Sequence, residues 1–116
     1  MTTYDLIIRN GTVIDGSGGP RVESDVAVDG DRIAAIGDLS DAQGRDEINA
    51  AGMIIAPGFI DVHTHDDHAL LSKPDMAYKA SQGVSTVVVG NCGISLAPLT
   101  FDGDRPPPPL DLLGDG

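Results

Sequence analysis

Through the first half of the chain, apolar residues come in short bursts separated by turn-forming pairs. Asn10-Gly11, Asp15-Gly16 and Asp29-Gly30 interrupt these bursts, and Ser17-Gly18-Gly19-Pro20 makes a longer break. Asn-Gly and Asp-Gly supply the positive φ angles that two-residue hairpin turns require. The clearest hairpin joins Asp25–Val28 to Arg32–Ile36 through Asp29-Gly30; the alternative, a helix over Arg32–Ile36, is cut short by Gly37. The pattern predicts about six short strands, among them Tyr4–Arg9, Thr12–Ile14 and Glu47–Asn49, forming a small antiparallel sheet or sandwich over residues 1–56. Such a sheet has a structural role, and none of its residues is assigned to chemistry.

The pattern changes at Pro57. Phe59–Thr64 is apolar on both faces except for Asp61 and the histidines, as expected for a parallel strand covered on both sides. A polar loop, Asp66-Asp67-His68, follows. Pro74–Gln82 reads as a short helix, with Pro near its first turn, Asp75 favourable to the N-terminal dipole and Gly83 as the stop. Val84–Val89 is rich in β-branched residues and flanked by Gly83 and Gly90, which marks a second strand. Residues 57–98 therefore form a βαβ unit. Residues 99–116 make a Pro- and Gly-rich loop, extended and polyproline-like at Pro106–Pro109, without another convincing element.

Composition narrows the possibilities. The 116 residues suffice for one ordinary domain but not for a complete (β/α)8 barrel, which needs about 250. A formal net charge of −11 argues against nucleic acid or an anionic membrane surface as partner. The single cysteine forms no internal disulfide and suits a reducing compartment. The start, Met1-Thr2-Thr3-Tyr4-Asp5, lacks the features of a signal peptide, and no apolar run is long enough to span a bilayer. The cytoplasm is the expected location.

Chemistry concentrates in His63-Thr64-His65 and Cys92. On a strand, side chains two residues apart point to one side about 6.6 Å apart, so both imidazoles can aim at one ion. An isolated His-x-His also suits a core histidine next to a loop histidine. The βαβ geometry changes this balance, because the ends of two adjacent parallel strands share one edge, about 4.8 Å apart, where α/β folds place ligands. His65 ends the first strand and Cys92 lies just past the second. A thiolate and two imidazoles fit Zn²⁺ best, while Fe²⁺, Co²⁺ and Mn²⁺ stay open on ligand type. Asp61 shares the parity of the pair but lies deeper. It either orients a ligand through its carboxylate or is a satisfied buried acid. His68 breaks the parity and reads as a solvated surface histidine. Asp66 and Asp67 read as a polar loop with a capping or turn role, the alternative being a place at the mouth of the site that shapes substrate binding. Neither Lys73 nor Lys79 is placed to bridge two metals.

The segment Pro57-Gly58-Phe59-Ile60-Asp61-Val62-His63-Thr64-His65 resembles the first barrel strand of the amidohydrolase superfamily, and the preceding strands resemble the small β-domain that opens those enzymes. Asp66-Asp67 directly after His65, together with Gln82–Pro98 around Gly90-Asn91-Cys92-Gly93, is similar to the D-aminoacylases, the N-acyl-D-amino-acid deacylases. This resemblance extends over nearly the whole chain. It implies an α/β fold: a small N-terminal antiparallel β-domain followed by the first strands of an incomplete (β/α)8 barrel.

The resemblance also implies roles. His63 and His65 match the histidines of a weakly occupied metal position, and Cys92 matches the cysteine that ligates a tightly held zinc. In relatives of another branch a carboxylated lysine bridges the metals instead. The implied reaction hydrolyses a small N-acyl-D-amino acid to a carboxylate and a D-amino acid. The family's other histidine ligands and its aspartate general base come from later barrel strands, so no catalytic base is assigned here. Two of the eight barrel strands are recognisable after Pro57. The expectation is therefore the N-terminal portion of a longer or split enzyme, inactive and poorly stable alone, whose apolar faces another barrel segment or chain completes. The alternatives are a non-catalytic metal-binding or interaction fragment, and an amidohydrolase acting on cyclic amides, which the surroundings of Cys92 disfavour.

Overall fold

A computed structural model describes residues 2–97, 100, 102 and 108–113, and the chain divides into two compact units, Met1–Pro57 and Gly58–Gly116. Strands predominate and helices are few and short.

The first unit is a five-stranded sheet organised on β1 (Thr3–Val13). β2 (Val22–Asp29) pairs antiparallel with β1, and β3 (Arg32–Gly37) pairs antiparallel with β2. Along the other edge of β1 run β4 (Gln43–Asn49) and the two-residue β5 (Ile54–Ile55), both parallel to it. The sheet is thus mixed, which corrects the antiparallel expectation. Arg9 supplies the physical reason. In the connection from β3 to β4 the Arg9 guanidinium donates to the carbonyls of Leu39 (2.8 Å), which also accepts the Ala42 N–H (2.9 Å), and of Ala42 (2.9 Å). The same side chain bonds Asp25 on β2 and Glu47 on β4. One guanidinium fork therefore fastens the crossover to three strands.

Two turn assignments also shift. Asn10-Gly11 is not a hairpin turn but a bulge inside one long strand: Ile8 pairs with Val26 and Gly11 with Ser24, leaving one extra residue on β1. Asn10 takes φ 60° there, and its backbone N–H donates to Asp25 Oδ1 at 2.8 Å. The predicted strands Tyr4–Arg9 and Thr12–Ile14 accordingly merge into β1. In the hairpin, Asp29 pairs with Arg32, so the two turn residues are Gly30 and Asp31, one position later than expected. The core of the unit comprises Ile7, Val26, Ala27 and Ala50, with Ile7 fully buried opposite Ala27.

The second unit pairs β6 (Phe59–Asp61) in parallel with β7 (Val84–Val87). Gly58 permits this close approach, since a Cβ there would stand 2.6 Å from the Cβ of Ser85. Both strands are shorter than predicted, but two bonds prolong the ladder: Val88 N–H to Asp61 O (2.8 Å) and Thr64 N–H to Val88 O (3.3 Å). Between the strands lie α1 (Asp67–Ser72) and α2 (Ala77–Ala80). Asp67 and His68 thus start a helix rather than extend a loop, and the helix expected over Pro74–Gln82 shrinks to one turn that Gly83 follows at φ 79°. Phe59 and Ile60, on opposite faces of β6, are 62% and 61% exposed, so the expected cover on both faces is missing among the described residues. Leu110–Leu113 adds a 3-10 turn where no element was expected. The polyproline-like reading of Pro106–Pro109 falls partly on Pro106 and Pro107, outside the described residues. Among the described residues no helix is long and apolar enough to cross a membrane.

Candidate metal centre

The prolonged β6–β7 ladder sets where the candidate ligands emerge. His63 and His65 follow the C-terminal end of β6, and Cys92 follows that of β7 by a few residues. One ligand atom from each of the three lies within 4.8 Å of the other two, and all three residues are exposed. Cys92 Sγ stands 3.7 Å from His65 Nδ1 and 3.9 Å from Nε2. The His63 and His65 ring centroids are 5.7 Å apart, with the planes inclined at 56°. Two ligands of a tetrahedral zinc, one sulfur and one nitrogen, sit about 3.6 Å apart. The Cys92–His65 separation therefore suits zinc, and the whole set suits one ion or a pair about 3.5–4 Å apart.

Asp61 lies below the pair and is half-buried. Its Oδ1 accepts the backbone N–H of His63 at 3.3 Å, and its Oδ2 accepts from Lys79 Nζ at 2.6 Å. The hydrogen bond from Lys79, then that from His63, holds the Asp61 carboxyl below its usual range. Its ties thus act on the backbone of the histidine segment. Lys79 also reaches Asp66 Oδ2 at 3.0 Å, while the hydroxyl of Thr64, itself buried, donates to the same carboxylate oxygen. Bonds to Asp61 and then Asp66 raise the pKa of Lys79 against the opposing effect of burial. Lys79 thus pairs with two carboxylates near the histidine segment and offsets one of their two negative charges.

Sequence reasoning missed this network, since a lysine eighteen residues after an aspartate carries no local signal. It also missed Asp67, which is 5% exposed and accepts from Ser95 Oγ (2.6 Å) and Leu96 N–H (2.8 Å). Asn91 likewise donates to Val62 O at 2.9 Å. His68 stands apart from the cluster, half-buried on α1 rather than solvated on a loop. Lys73 is exposed at the end of α1.

Known proteins share this arrangement of sequence. The chain is 58% identical over 113 residues to the D-aminoacylase of Alcaligenes xylosoxydans xylosoxydans, an overlap of 97% of this chain and 23% of that enzyme. It matches the structure of a D-aminoacylase with a binuclear metal centre at a TM-score of 0.87, with 58% identity over 97% of this chain and 23% of the other. It matches the N-acyl-D-glutamate deacylase of Bordetella bronchiseptica, solved with zinc and a phosphonate inhibitor, at a TM-score of 0.87 and 49% identity over 98% of this chain and 24% of the other. The chain thus spans about a quarter of the length of these relatives. A family model described as the amidohydrolase family matches residues 46–113, and this chain belongs to that family.

Proposed function

We propose that this chain contributes His63, His65 and Cys92 to the metal centre of a zinc-dependent hydrolase that converts N-acyl-D-amino acids into a carboxylate and a D-amino acid. The observation that carries the reading is the convergence of two imidazoles and a thiol within 4.8 Å beyond the ends of two parallel strands. The relatives named above act on this substrate class, and the thiol suits the reducing cytoplasm. When bound, the ion polarises the amide carbonyl and renders water acidic enough to act as nucleophile near neutral pH.

The chain's own residues hold and orient. Asp61 fixes the backbone at His63, Lys79 bridges Asp61 and Asp66, and Thr64 ties Asp66 to the same segment. Residues 1–56 act as a structural β-domain and residues 57–98 as the first βαβ unit of a (β/α)8 barrel. Phe59, Ile60 and Val62, all exposed, favour completion of that barrel by further segments, in the same polypeptide or in another. Those segments supply the remaining ligands and the general base, and the 116-residue chain alone is inactive.

The test is hydrolysis of N-acetyl-D-amino acids, their L-enantiomers and a hydantoin, by this chain alone and together with a polypeptide carrying the remaining barrel strands. D-selective hydrolysis only in the completed barrel is expected. Turnover of the hydantoin without the N-acyl-D-amino acids would place the activity in the cyclic-amide branch. Zinc uptake by an assembly that hydrolyses none of them would favour a non-catalytic metal-binding module.

A further inference from the structure

The segment that carries Cys92 has little rigidity of its own. Gly90 and Gly93 flank it at φ 77° and 86°, and a single turn bond, Gly93 N–H to Gly90 O (2.9 Å), closes it. Its position must therefore be set by ties to something else. Among the described residues two such ties are present, and both end in the histidine segment. Asn91, next to Cys92, donates its side-chain amide to the carbonyl of Val62, the residue before His63. Ser95 and Leu96, on the other side of Cys92, both donate to Oδ1 of Asp67, two residues after His65. The cysteine is bracketed by the same stretch of chain that presents the imidazoles, so a displacement of one carries the other with it. Asp67 is buried, which shields its two bonds from competition by water.

We propose that Asp67 and Asn91 are positioning residues that clamp the Cys92 loop to the two ends of the His63-x-His65 segment and so set the thiol-to-imidazole separation of the metal centre. This rests on the metal-site reading above. Oδ1 of Asp67 accepts both bonds, so Asp67→Asn, which keeps a carbonyl oxygen, is the variant that preserves the clamp and Asp67→Ala the one that removes it.

Cobalt(II) titration of the chain, read by the thiolate-to-metal charge-transfer band, tests the clamp together with amide exchange at Leu96 and alkylation of Cys92 in the metal-free protein. Removal of an outer partner of this kind lowers metal affinity by about 10- to 100-fold. Asn91→Ala and Asp67→Ala are expected to show such a loss with a weaker band and faster alkylation, and Asp67→Ala also with faster exchange at Leu96. Asp67→Asn is expected to stay near wild type. Wild-type affinity, band and alkylation rate in both alanine variants would overturn the clamp, as would Asp67→Asn falling as far as Asp67→Ala. Ser95→Ala removes one bond to Asp67 and replaces Asp67→Ala should that variant fail to fold. If neither this chain nor its assembly with the remaining barrel strands takes up cobalt better than the Cys92→Ala form, the metal-site reading fails, and the exchange and alkylation rates still decide whether the clamp exists.

Discussion

β1 and β6 each carry large apolar residues and each pair in parallel with a later strand, yet they end in opposite environments. β1 is eleven residues long with a neighbour on each edge, and its Ile7 is fully buried. β6 is three residues long, pairs with β7 alone among the described residues, and leaves Phe59 and Ile60 more than half exposed. Ile7 and Ile60 are thus the same side chain in opposite environments. What differs is the source of order: the first unit is held by long ladders and a small apolar core, the second by charged and polar side chains gathered around the candidate ligands. Asp61, Asp66, Asp67, Lys79 and Asn91 do in the second unit what Ile7, Val26 and Ala27 do in the first.

The sharpest way to break this contrast is truncation of one residue in each strand. Ile7→Ala is expected to destabilise the first unit by about 2–5 kcal/mol, through lost transfer energy plus a cavity, whereas Phe59→Ala, already exposed, is expected to change stability by about 0.5 kcal/mol or less. Urea melts of both variants measure this, and an equally large cost for Phe59→Ala would show that β6 is covered in solution. Next in size, Cys92→Ala is expected to weaken zinc retention by more than the roughly 10- to 100-fold that loss of an outer partner costs, with no change in the melt of the first unit. Competition with a chelator reads the first quantity and circular dichroism the second.

A smaller, local effect is expected for Lys79→Met, which leaves Asp61 and Asp66 without their cation. Amide exchange at His63 and Val88 should quicken while that of β1 stays unchanged, and uniform acceleration through both units would erase the distinction. The smallest effect concerns pH. Hydrogen bonds from Arg9, then from the Gly44 backbone, push the Glu47 carboxyl down to about 2 from an ordinary value of 4.5. A carboxyl depressed on folding stabilises the folded state above its unfolded pKa and loses that contribution as pH falls through the folded value. Acid melts between pH 4.5 and 2 should therefore lose a contribution in wild type that Glu47→Gln lacks throughout. Parallel acid limbs in the two proteins would remove Glu47 from the account.

Much of the candidate site is legible in the order of residues alone. His63, Thr64 and His65 show their spacing directly, and Cys92 is the single cysteine beyond the second β-branched run. The hairpin between β2 and β3 is equally legible, though misplaced by one residue, because an Asp-Gly-Asp run leaves open which adjacent pair makes the turn. Asn10-Gly11 misleads for a related reason. An Asn at positive φ serves a bulge as well as a turn, and only the continuing partner β2 separates the two.

The sequence by itself determined which residues can ligate a metal and that two strands flank them, since residue type, spacing and β-branched runs are local properties. Only the tertiary structure decided that β4 runs parallel to β1, that Asp67 is buried, and that Lys79 and Asn91 close on the histidine segment. Each of those outcomes depends on one part of the chain meeting another far along it, from Lys79 with Asp66 to β1 with β4, and such a pairing exists only once the chain has been folded back on itself.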